Sequence, residues 1–340
     1  MLEAATAALL QLGFDVHAKD TLGRTALQLA AKDGYEAIVN LLLKYDFSLD
    51  MKSDDFDDSR RRHSNVYPGS TALHFAARQG HISIVKTLLN HGATVDSRDA
   101  KNATPLHHAI INGKTEIVKV LLEAKADISS TVWSTSYQPL RTTDAANFLE
   151  RKSQKSLLST AIVSNSVDIV KLFIDAGADV NEHADDNCPP LFYTLATRRG
   201  VEMMGMLLGA GADPNIMWRY DRKSLLMWCT HDWHPGTIDR AKLLLDAGAD
   251  INHSTGFSSP SRSALGGAQR SGMPTVVQYL VERGADLKLG FALHELWYVN
   301  EKASDKNYMS NEEYGNIMSK EQSASVLGND SELSATEAVG

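Results

Sequence analysis

Three six-residue runs recur along this chain, and each opens the same longer pattern. They are Gly23-Arg24-Thr25-Ala26-Leu27-Gln28, Gly69-Ser70-Thr71-Ala72-Leu73-His74 and Asn102-Ala103-Thr104-Pro105-Leu106-His107. Each leads into a short apolar stripe, a glycine, and a second stretch carrying an Ile-Val pair and a Leu-Leu pair. The equivalent leucine falls at Leu27, Leu73, Leu106, Leu158, Leu191, Leu226 and Leu265, with intervals of 46, 33, 52, 33, 35 and 39 residues. A base period of about 33 residues marks a chain of small units, none of which buries its apolar face alone.

One unit shows the physics. Thr104 is placed to N-cap a helix, and Pro105 at the first helical position gives up no needed donor. Leu106, Ala109 and Ile110 form one stripe at helical spacing. Gly113 ends that helix where a left-handed residue is wanted. Ile117, Val118, Leu121 and Leu122 give a second helix its buried face. Small residues such as Ala76, Ala77 and Ala109 allow neighbouring helices to approach closely. Units then close on Gly92-Ala93, Gly177-Ala178-Asp179, Gly211-Ala212-Asp213, Gly248-Ala249-Asp250 and Gly284-Ala285-Asp286.

This pattern resembles the ankyrin repeat family. Thr104-Pro105-Leu106-His107 reproduces the family's signature tetrapeptide, and Leu172 through Asn181 its second-helix ending. The resemblance implies an all-α ankyrin-repeat solenoid of about seven repeats: helix-turn-helix pairs joined by short β-hairpin fingers. Later units depart from the signature. Ser156, Ser224 and Ser263 replace the threonine and still cap, whereas Pro189 does not, so the first helix after it is expected to be less regular. Arg198-Arg199-Gly200 displaces the expected glycine by two positions.

The expected domain order is a partial repeat or N-terminal cap over 1–19, ankyrin repeats over 20–290, a terminal capping helix over 291–300, and a disordered acidic tail over 301–340. That tail holds eight acids and three bases among few large apolar residues. Two long intervals place loop insertions at 46–68 and 129–155. The first sets acidic residues beside Arg60-Arg61-Arg62. Arg61-Arg62-His63-Ser64 places cations just before a hydroxyl, making Ser64 a candidate phosphosite that would gain about two negative charges; a solvated loop is the plainer reading. The second insertion carries Trp133, Tyr137 and Phe148, which either anchor a partner or fold back on the repeats.

Bulk properties restrict the function. The chain has 340 residues, net charge −8 and a hydrophobic fraction of 43%. That charge does not favour nucleic acid as a partner. Two cysteines are too few for a disulfide framework and fit a reducing compartment. No apolar run approaches the ~18 residues that span a bilayer. A cytoplasmic chain, with the nucleus as a second compartment, is therefore expected, without membrane insertion and monomeric.

Chemistry-bearing patterns are sparse. Cys229, His231 and His234 are spaced like metal ligands, but structural zinc takes four, and Cys229 falls where a buried small residue belongs. His74 and His107 stand at the family's signature histidine, so hydrogen bonding to turn backbone between units is expected; His108 is read as incidental. No phosphate-cradling glycine loop, nucleophile elbow or paired His/carboxylate motif is present. The expectation is no catalysis and no cofactor.

The resemblance implies that a protein partner docks on the fingers and on the exposed face of each first helix. Counting from the capping residue marks Arg24, Lys32, Arg78, Lys155, Lys223, Arg262 and Arg270, with Lys101 on a finger and Arg198 in the displaced loop. Trp218 and Tyr220 are further contact candidates, since aromatic residues dominate hot spots. The excess of cations favours an acidic or phosphorylated segment as ligand. The leading expectation is a non-catalytic scaffold or adaptor. The alternative is the targeting or regulatory ankyrin portion of a larger enzyme or multidomain protein.

Overall fold

The computed structural model describes residues 2–45, 48–54, 68–133, 154–183, 188–218, 222–231, 236–255 and 263–290. These fall into two units, Met1–Ala212 and Asp213–Gly340. In the first unit a leading helix, α1 (Leu2–Gln11), is followed by helix pairs: α2 (Ala26–Asp33) with α3 (Glu36–Leu42), α4 (Ala72–Gln79) with α5 (Ile82–Asn90), α6 (Pro105–Ile111) with α7 (Thr115–Glu123), and α8 (Leu157–Val163) with α9 (Val167–Asp175). Its last pair is α10 (Pro190–Tyr193), extended by a 3-10 turn at Thr194–Ala196, with α11 (Gly200–Gly209). The second unit pairs α12 (Leu225–His231) with α13 (Thr237–Asp246) and α14 (Ala264–Arg270) with α15 (Pro274–Glu282).

Helices of seven to ten residues are too short to persist alone, so caps and neighbours must hold them. The Thr25 side chain accepts from the amide of Gln28, Thr104 from that of His107, Ser156 from that of Ser159 and Ser263 from that of Gly266. Gly34 and Gly80 end α2 and α4 in the left-handed region, at φ 81° and 94°. Inward faces are apolar: Leu73, Ala76 and Ala77 on α4, Ile84, Val85 and Leu88 on α5, and Ile117, Val118 and Leu121 on α7 are all within 1% of full burial. The alanines matter because α4 is packed closely by α2 on one side and α6 on the other.

The Ser156 hydroxyl is itself buried and also donates to Ser159 Oγ at 3.0 Å. Ser156→Ala removes that bond and the cap together. A loss of about 1–2 kcal/mol is expected, read from the urea unfolding midpoint of the full chain.

Where the cap is missing, the helix shrinks. Pro189 makes no side-chain cap bond, and α10 has only four residues before the 3-10 turn. Gly200 does not replace the missing turn glycine. It is the first residue of α11, whereas the turn glycines Gly34, Gly80 and Gly113 all have positive φ.

Fingers are short and closed at their bases. Lys19 bridges to Thr25, Met217 to Ser224 and Ser254 to Ser263. Ser53 bonds Ser70 and Gly69 through backbone, closing the first insertion. The second closes on two antiparallel strands, β1 (Thr131–Trp133) and β2 (Gln154–Ser156), in register Val132 to Lys155. Polar side chains also tie successive turns. In the second unit, Asn215 donates to the Gly248 carbonyl at 3.1 Å and accepts from the Asp250 amide at 2.7 Å. At the start of the first unit, α1 packs on α3 and leaves Leu12 and Phe14 well exposed.

Candidate interaction surface

The fingers and the last turns of the first helices position the candidate residues, and each is held differently. In the first unit, Asp20 shapes its finger by accepting the Leu22 and Arg24 amides on Oδ1, while Oδ2 accepts from the Arg24 guanidinium at 3.0 and 2.7 Å. Burial pushes the Asp20 carboxyl up, but these bonds outweigh it and leave it below its ordinary value. Arg24 is therefore half-buried and committed to its own finger. Lys32 occupies the last turn of α2 beside Asp33, with 3.5 Å between the charges. Arg78 occupies the last turn of α4, and partial burial lowers its guanidinium pKa. Cations in a last turn also complement the helix dipole, so both have a local structural role. Lys101 and Arg198 are exposed.

Lys155 contradicts its expected exposure: it is 7% exposed, on β2, with its ammonium 5.1 Å from the centre of the Tyr193 ring. Counting from the cap could not reveal this, because β1 pairing and the opposing ring arise from an insertion and a later unit.

In the second unit, Lys223 is half-buried over the Trp228 ring, 4.9 Å from its centre, and Arg270 is exposed at the end of α14. Trp218, expected as a surface anchor, is 6% exposed and belongs to the core. Tyr220, Arg262, Ser64, Tyr137, Phe148 and His234 lie outside the described residues, as do 291–300, 301–340 and most of both insertions.

Cys229 is buried, and that burial drives its thiol pKa up to about 12. A protonated buried thiol suits neither metal binding nor nucleophilic chemistry. Among the described residues, no group of three or more His, Cys, Asp or Glu could hold a metal ion.

The histidines are better organised than the repeat pattern suggests. His74 Nδ1 accepts from the Thr71 amide at 3.1 Å, and its Nε2 donates to the Ala103 carbonyl at 3.1 Å, linking α4 to the next finger. His107 makes no equivalent bond at Nδ1, which is buried without a hydrogen-bond partner. His108, read from sequence as incidental, donates from Nε2 to Asp99 Oδ2 at 2.9 Å, with both side chains within 5% of full burial. Asp99 Oδ1 accepts the Lys101 and Ala103 amides, each at 2.8 Å. Burial pushes the Asp99 carboxyl up, yet the His108 and backbone bonds hold it below its ordinary value. A signal existed: positions matching His108 in earlier pairs carry Leu29 and Phe75, and Asp99 precedes it by nine residues.

Comparison with known proteins agrees with this geometry. A family profile of three ankyrin repeat copies matches residues 55–132, and a single ankyrin repeat profile matches 22–54. The human ASB11 ankyrin repeat domain superposes with a TM-score of 0.54 at 20% identity, covering 77% of this chain and 99% of that domain. The palmitoyltransferase ZDHHC17 of Homo sapiens is 27% identical over 170 residues, covering 40% of this chain and 26% of the palmitoyltransferase. The Fowlpox virus ankyrin repeat protein FPV018 is 38% identical over 56 residues, which is 16% of this chain and 8% of that protein. This chain thus spans about a quarter of the palmitoyltransferase it matches. Residues 22–132 thus match the ankyrin repeat family, and the helix pairs share the fold of an ankyrin repeat domain. Such repeats are protein-binding modules. No helix among the described residues is long and apolar enough to cross a membrane.

Proposed function

We propose that the chain is a non-catalytic adaptor whose fingers and first-helix ends hold an acidic or phosphorylated segment of a protein partner. The observation that carries this reading is Lys101. It stands exposed on a finger whose backbone is fixed by two bonds to Asp99, so its ammonium is presented by a rigid support. Exposed Arg198 adds a second cation in the same unit, and Arg270 supplies one in the second unit. Lys155 and Trp218, being buried, act through packing instead, and Arg24 through its own finger. Ser64 remains a proposed modification site in the first insertion. The division into a cap over 1–19, repeats to 290, a terminal helix and an acidic tail is part of the same proposal.

A second reading follows from the palmitoyltransferase match: the repeats serve as the targeting part of a larger enzyme. Both readings expect no acyl transfer from the purified chain, and turnover would overthrow the non-catalytic reading; a catalytic domain encoded in the same gene would favour the second.

The binding surface is tested with acidic, phosphorylated and neutral peptide arrays read by fluorescence anisotropy. Lys101→Glu with Arg198→Glu should weaken the best acidic binder by about tenfold or more without changing the melting temperature. Unchanged affinity, or equal binding of neutral peptides, would remove the acidic-segment proposal.

A further inference from the structure

His74, His107, His108 and Asp99 meet inside the first unit where α4, α6 and the finger between them converge. The His74 and His108 rings lie 5.5 Å apart edge-on, and those of His107 and His108 6.0 Å apart. A backbone amide only donates, so the Thr71 bond requires an unprotonated Nδ1 on His74, and the Ala103 carbonyl requires a hydrogen on its Nε2. The ring is therefore held neutral. A proton added at Nδ1 would face the Thr71 amide donor and break that capping bond of α4, leaving the Thr71 hydroxyl at 2.9 Å as its one acceptor there while the Nε2 bond to Ala103 persists. His107 offers an added proton no acceptor at Nδ1. From this geometry we propose that the cluster is a proton-sensitive clasp, which releases α4, α6 and the finger bearing Lys101 when the surroundings become acidic.

The groups acting on the clasp are few. His108, Asp99 and Lys52 act on His74; His108, Asp99 and His74 act on His107. From α2 the facing residue at the same level is Gln28, which does not titrate, while Lys32 and Asp33 pair at the far end. From α8 come Ser156 and Ser159, preceded by Lys155 on β2. Helices α5 and α7 turn apolar residues inward and leave Lys86, Glu116 and Lys119 exposed. The single carboxylate among these inner groups, Asp99, is already committed to His108 and two amides, so it gives new imidazolium charge little relief.

Burial, then repulsion from His108, lowers His74 to about 4 and His107 to about 3, from an ordinary 6.5. Because the folded values are depressed, the unfolded or opened segment binds protons first. Stability is complete above about pH 6.5 and declines as pH falls toward the folded values. Asp99 is lowered in its own range, so its contribution is lost only below the ordinary carboxylate value of 3.8. At about pH 5 each depressed histidine favours opening by roughly thirtyfold.

The protein itself supplies the non-titrating control. In the first pair Gln28 accepts the Thr25 amide at 2.9 Å and donates to the Met51 and Ser70 carbonyls, doing with a carboxamide what His74 does with an imidazole. Amide hydrogen exchange of the full chain, corrected for intrinsic pH dependence, should show protection over 71–80 and 99–111 falling by roughly thirtyfold or more between about pH 7 and about pH 5. Residues 200–209 should change far less, and His74→Gln should blunt the fall. A uniform decline along the chain, or an equal decline in His74→Gln, would overturn the clasp. If that variant does not fold, imidazole proton resonances of the wild-type chain decide: His74 and His107 must stay unprotonated at about pH 5, and titration of both near the ordinary value would refute the proposal.

Discussion

Phe173→Ala should cost about 3–5 kcal/mol of unfolding free energy. Phe173 is fully buried on α9, beside Ile169 and Val170 on the same inward face. That helix packs on α7, α8 and α11, so the cavity would open among helices from three pairs and none could collapse into it without disturbing another. Urea unfolding followed by circular dichroism measures the loss. A cost below about 1 kcal/mol would mean the site relaxes freely and the pairs are not tightly joined there.

Gly69→Ala is the second large effect and arises from backbone rather than core. Gly69 has φ of 72°, and an added Cβ would lie 2.6 Å from the Ala100 nitrogen. That atom belongs to the next finger, whose amide donates to the Pro68 carbonyl. The substitution therefore combines left-handed strain, about 1 kcal/mol, with a collision that backbone cannot easily avoid, for a total of about 2–4 kcal/mol. Gly92→Ala provides the comparison: its φ is 91°, but nothing lies within 4 Å of the new carbon. Gly92→Ala should cost only the strain, about 1 kcal/mol. Equal destabilisation by the two substitutions would show that finger-to-finger approach at Gly69 contributes nothing.

Much of the framework is legible in the amino-acid order because each structural job leaves a local mark. Thr104 before Pro105, alanines at Ala76 and Ala77, and glycines where φ must be positive all follow from backbone and packing rules within a few residues. The short α10 is legible for the same reason, since Pro189 offers no hydroxyl. The surface is less so. Lys155 and Lys101 are similar side chains near equivalent junctions, yet one lies under β1 and against Tyr193 while the other is exposed. The distinction depends on residues tens of positions away, beyond an insertion. Trp218 misleads in the same manner, its composition suiting a hot spot and its burial assigning it to the core. His108 is hidden by its neighbour: the signature histidine draws the eye to His107, whereas the buried pair with Asp99 forms one position later.

Asp20 and Asp99 show how one finger design is tuned. Both fold their finger by accepting two amides on Oδ1. The second oxygen meets the permanently charged Arg24 in one case and the imidazole of His108 in the other. The finger presenting Lys101 is thus the one whose support belongs to a cluster of titratable side chains, which couples the proposed docking surface to the proposed clasp.

Hydrogen exchange across the first unit near neutral pH tests most directly whether each pair is completed by its neighbours. Protection should be greatest in α4 through α7, which are flanked on both sides, and least in α1, which packs on α3 and leaves Leu9 exposed. Exchange in α4 through α7 as fast as in α1 would contradict the neighbour-stabilised stack.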